Sequence, residues 1–176
     1  MAVRFIQSNE LLSLADHLAG RDAGRGKPRT AYLRRSISTA YYAIFHLLTQ
    51  HAVQRLLGDD GWTQKHAAVA RWVAHTDLAT LADATNGRGS RALVEAMSPV
   101  EPRLANLSQD FIDLQAARHR ADYDDYFDAS KASTLAYVDA AKRAVGIAGD
   151  LYRIQEPSYL RFLGLALGGV KVAKNR

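Results

Sequence analysis

Apolar residues recur at spacings of three and four along most of this chain, and no stretch alternates with the two-residue period of a strand. The pattern predicts an all-α protein, an up-and-down bundle of about five helices. A first helix is predicted over residues 9–18, with Leu11, Leu12, Ala15 and Leu18 as its stripe and the side-chain oxygens of Ser8 and Asn9 as N-cap acceptors. The Gly-rich loop 20–28 ends it. A long second helix is predicted over 29–57, stopped by the Gly58-Asp59-Asp60-Gly61 turn, and a third over 63–74. The stretch through Asn86, Gly87, Arg88, Gly89 and Ser90 is weakly patterned and reads as a flexible excursion. A fourth helix over 102–123 and a fifth over 130–155 complete the bundle, and Pro157 sets off a short extra C-terminal helix over 159–167. The organisation is therefore a helical bundle over 1–155 followed by a helical extension and basic tail over 156–176.

Two segments carry more polar chemistry than a helix core requires: RRSISTAYYAIFHLLT at 34–49 and DLQAARHRADYDDY at 113–126. On a wheel of about 100° per residue, Ile37, Tyr41, Ile44 and Leu48 form the core stripe of the second helix. Arg34, Ser38, Phe45 and Thr49 run beside it, with Tyr42 and His46 further round. On the fourth helix Phe111, Leu114 and Ala121 form the stripe, and Arg118 projects within the same arc. A guanidinium cannot shed its charge, so it requires Asp122 one turn on, a tyrosine hydroxyl, or an anion from outside. His119, Asp122, Tyr123 and Tyr126 cluster on the adjoining side. The acidic run Asp122, Asp124, Asp125, Asp128 lacks the spacing and glycine of a calcium loop, so no metal site is expected.

Composition narrows the classes. The 176 residues suit one core, and 48% hydrophobic with 23% charged residues is a globular balance. Without cysteine there is no disulfide, thiol nucleophile or Cys-ligated zinc, and the beginning of the chain lacks a signal-peptide pattern, so a cytoplasmic location is the expectation. No run approaches the roughly 20 apolar residues of a membrane span. The net charge of +5 favours a polyanionic partner, with basic residues gathered at Arg21, Arg25, Lys27 and Arg29, at Arg88 and Arg91, and at Lys171, Lys174 and Arg176.

The order of ELLSLADHLAG, then RRSISTAYYAIFHLL, then an Arg-containing helix ending RADYDDY resembles the HEPN family of small helical domains, over residues 10–148. The resemblance implies a homodimeric helical bundle acting on RNA or a nucleotide in toxin-antitoxin or defence systems, with an antitoxin or nucleotidyltransferase as partner. Many relatives are metal-independent ribonucleases, in which an Arg followed by a His after four to six intervening residues builds a composite site at the dimer interface. Here the positions counted on from Arg118 hold Tyr123, Asp124 and Asp125, and those from Arg120 hold Asp125, Tyr126 and Phe127, so no histidine stands in the family place. Tyrosine, whose phenol ordinarily titrates near 10, is by residue type a poor general base.

Two functional readings follow. In the first, Arg118, Arg120, Arg34 and Tyr42 bind RNA or nucleotide phosphate, Asp122, Tyr41 and Ser38 orient the site, and any catalysis falls to Arg118, His119, Tyr123 and His46 without a cofactor. In the second, the same residues form an internal network in a non-catalytic dimerisation or adaptor bundle. Function lies in the geometry of the site, not in the fold.

Overall fold

The computed structural model describes residues 5–22, 26 and 28–174, with the side chain of Lys174 excepted. The basic positions Arg25, Lys27 and Arg176 lie outside the described residues. Within them all regular structure is helical: α1 Ser8–Leu18, α2 Thr30–Leu57, α3 Gln64–Ala70, α4 His75–Thr85, α5 Arg91–Met97, α6 Pro102–Tyr123, α7 Lys131–Arg153, α8 Pro157–Ala166 and α9 Gly169–Lys174. None of these helices is long and apolar enough to cross a membrane.

Local chemistry explains several boundaries. The Glu101 carboxylate accepts from the backbone N–H groups of Arg103 and Leu104, and Pro102 occupies the first turn, where its missing N–H costs nothing. Glu156 and Pro157 repeat the device at α8. At α7 the Ser130 hydroxyl accepts from the Ser133 N–H. Gly58 ends α2 at φ 88°, a backbone conformation that side chains other than glycine's seldom adopt.

The helix count differs from the expected five, chiefly between residues 74 and 102. On either side of the stretch 86–90, which reads as an excursion, stand two helices that the pattern does not predict: α4 buries Leu78, Leu81 and Ala82, and α5 buries Leu93 and Met97. Only the connection through Gly87 and Gly89, both at positive φ, is a turn. A helix of seven residues displays too few repeats to reveal its period, and tertiary packing, not propensity, holds it.

The long α2 is the axis of the fold and packs against α1, α6, α7 and α8. Its predicted stripe of Ile37, Tyr41, Ile44 and Leu48 is fully buried, but so are Ser36, Ala40 and Ala43 beyond it. Burial on several sides follows from its central place. Small residues admit α1 closely enough for the Ser36 hydroxyl to donate to the Ala15 carbonyl at 2.7 Å. The C-terminal extension packs on this same core, where α8 places Tyr159, Phe162 and Leu163.

Arg34 fastens α2 to the end of α6. Its Nε donates to the Ala121 carbonyl at 2.7 Å and its Nη2 to the Asp124 carbonyl at 2.6 Å. A cation at a helix C-terminus satisfies carbonyls that lack intrahelical partners and complements the helix dipole. Arg34→Ala is expected to lower unfolding free energy by about 2–3 kcal/mol, read by urea denaturation, since charged hydrogen bonds of this kind are lost together.

Candidate functional site

Three elements converge on one cleft. Tyr41 of α2, His75 and Thr76 at the start of α4, and Gln115, Arg118 and His119 of α6 line a depression of about 450 Å³. Its position follows from the packing of α2 and α4 on α6, which brings two otherwise distant polar segments to one opening.

Arg118 meets two of the partners its position demands. Nε lies 2.8 Å from Oδ2 of Asp122 one turn on, an ion pair without hydrogen-bond alignment, and Nη2 donates to the Tyr42 hydroxyl at 3.0 Å. The guanidinium stands 5.6 Å from the ring centres of both Tyr42 and Tyr123. Burial opposes its charge, but Tyr42 and Asp122 more than offset this, and the pKa moves above the ordinary arginine value. The side chain remains 23% exposed, so this cation is held in place yet open to a ligand from the cleft. Asp122 is fixed in turn by the Ser38 hydroxyl, which donates to Oδ1.

A second cluster stands beside it. The Tyr41 hydroxyl and His75 Nδ1 are 2.6 Å apart, and Gln115 Nε2 donates to the His75 carbonyl at 3.1 Å. The His75 ring stacks on Phe45 with centres 3.7 Å apart. Burial, the charge of Arg118 and the neighbouring His46 all push the His75 pKa below its ordinary value. The imidazole is therefore neutral at pH 7 and available as a proton acceptor or as a hydrogen-bond donor, according to tautomer. Burial drives the Tyr41 phenol well above its ordinary value, so Tyr41 is a hydrogen-bonding group there and not an acid.

The other sequence-derived candidates divide. His119 lines the cleft, its ring 5.1 Å from Tyr123, which is itself 66% exposed. His46 lies behind Tyr42 with centres 6.0 Å apart, and burial lowers its pKa. Arg120 points to α7, where Nη2 donates to the Tyr137 hydroxyl at 3.1 Å and the guanidinium covers Phe127. Arg34 is occupied by carbonyls, and Tyr126 stands 97% exposed in the turn after α6. Among the described residues no group of three or more His, Cys, Asp or Glu could hold a metal ion.

His75 and Gln115 were missed. A signal for His75 existed: His75-Thr76-Asp77 opens a Leu78, Leu81, Ala82 spacing, with an acidic residue in the first turn. Nothing in the sequence marks Gln115, whose importance lies in a contact between helices.

No family model matches the chain, and no curated protein or solved structure is similar to it. The case for function consequently rests on the cleft.

Proposed function

We propose that this protein is a HEPN-like binder of RNA or nucleotide phosphate, with Arg118 as the anion-holding group and the cleft between α2, α4 and α6 as its site. The observation that carries the reading is a guanidinium fixed by Asp122 and Tyr42 yet 23% exposed beside a cleft large enough for a nucleotide. Arginine's planar fork suits a phosphate, and pre-fixing it by Asp122 lowers the entropy lost on binding. His75, a neutral imidazole on the same wall, supplies the proton-transfer group that metal-independent cleavage of bound RNA would need. A homodimer with an antitoxin or nucleotidyltransferase partner belongs to the same proposal and is carried by the family resemblance.

The test is fluorescence anisotropy with a labelled single-stranded RNA. Arg118→Gln is expected to weaken binding at least about tenfold, the loss of one charge-assisted phosphate contact. Parent-like affinity in that variant, with an unchanged melting curve, would sink the reading.

The adaptor reading draws on a different observation: Asp122, Tyr42 and Tyr123 already engage Arg118 from within the chain. It requires that Arg118→Gln lower stability and leave RNA affinity untouched, the reverse of the outcome above.

A further inference from the structure

Arg118 stands at one end of a row of rings. Tyr42, which it touches, lies 6.0 Å from His46; His46 meets Phe5 edge-on at 5.5 Å; Phe5 lies 4.2 Å from Trp62. The row draws on α2, on the residues ahead of α1 and on the turn ahead of α3, so it is built by tertiary structure and not by one helix face. Tyr42, His46, Phe5 and Trp62 are all only partly buried. The next ring is different: His66 is buried, its Nε2 donates to the Gly58 carbonyl and its Nδ1 accepts from Thr63, which anchors the Trp62 end. Lys65, exposed in the first turn of α3, adds a cation there, while Asp59 in the preceding turn acts on Tyr152 of α7.

Partly exposed rings leading away from a held cation are the arrangement that single-stranded nucleic acid uses, stacking its bases on aromatic faces while cations follow its backbone. Phe5 already covers Trp62, with the two rings tilted by 39° and their centres 4.2 Å apart, and it belongs to the segment ahead of the first helix. We propose that the row is a second subsite of the cleft, in which Trp62 is the stacking platform for one base of a single-stranded RNA and that base takes the place of Phe5. The proposal rests on the reading of Arg118 as an RNA phosphate site and extends it: the ligand is an oligonucleotide, because a mononucleotide reaches only the Arg118 end.

The experiment uses the full chain carrying Trp72→Phe, which leaves Trp62 as its one tryptophan. Titration with a uridine octamer is expected to quench Trp62 fluorescence, and titration with uridine monophosphate is not. By anisotropy of the labelled octamer, Trp62→Leu should weaken RNA binding about tenfold, as expected for loss of one stacked base, and leave monophosphate affinity unchanged. Trp62→Phe should keep most of the affinity, which separates stacking from a folding defect. Octamer binding that depends on Arg118 but ignores Trp62→Leu would overturn the platform and leave the cleft reading standing. Failure of both ligands to bind would overturn both, and an RNA-independent dimer dissolved by Trp62→Leu would assign the row to a second copy of this chain instead.

Discussion

Phe111→Ala is expected to destabilise the protein by about 3–5 kcal/mol, the range for deleting a fully buried phenyl ring and leaving its cavity. Phe111 is wholly buried in α6 and its ring centre lies 5.5 Å from that of Tyr41. Tyr41 is the residue whose hydroxyl meets His75, so the cavity also removes the backing of the cleft. Loss of stability and loss of RNA affinity should therefore appear together, the second as a weaker effect at temperatures where the variant remains folded. Phe111→Leu, which keeps most of the volume, should cost about 1 kcal/mol. Urea denaturation at pH 7 measures both. An alanine variant within about 1 kcal/mol of the parent would show that α6 does not pack on α2 in this way.

The second large effect is a pH dependence set by His51. Its imidazole is buried in α2, with Nδ1 2.8 Å from the Tyr159 hydroxyl and its plane stacked on Tyr152 at 4.0 Å. Burial pushes its pKa down to about 4. In the unfolded chain the same group titrates near its ordinary value of about 6.5. Above that pH both states are neutral and stability is at its full value. As pH falls from about 6.5 to about 4, the unfolded chain takes up a proton that the folded chain refuses, so stability declines through that window. The loss amounts to about 3 kcal/mol as an upper figure. His46 and His75, also lowered by burial, act in the same direction. His51→Phe should therefore flatten the slope of unfolding free energy between pH 7 and 4.5 without abolishing it. An unchanged slope would mean that His51 is open to solvent.

What was legible in the sequence was long, periodic or local. The 22 residues of α6 and 28 of α2 repeat their apolar spacing often enough to be read directly. Arg118 and Asp122 are one helical turn apart, a pairing that helix geometry alone requires. The all-helical class followed from the same periodicity. What was not legible depends on how helices approach one another. Whether Arg34 faces a phosphate or a helix end is decided by where α6 stops, and the Ala121 and Asp124 carbonyls it binds have no side-chain signature. Arg120 and Arg118 are neighbours of equal charge in the chain, yet one turns to Tyr137 and the other to Tyr42. His75 was lost with α4, whose alanine-rich face gives weak contrast against its polar side. Five of the nine helices among the described residues run to eleven residues or more, and the shorter ones are held by the core they help to close.

The central claim is that Arg118 receives a phosphate from the cleft. The most direct measurement labels the arginine side chains with ¹⁵N and follows the Nε–H resonance of Arg118, assigned by its loss in Arg118→Gln, as unlabelled single-stranded RNA is added. The account predicts a saturable shift of that resonance, with the Nε–H resonance of Arg34 moving far less because that N–H already donates to the Ala121 carbonyl. An Arg118 resonance that stays fixed while RNA is added to saturating concentration would contradict it.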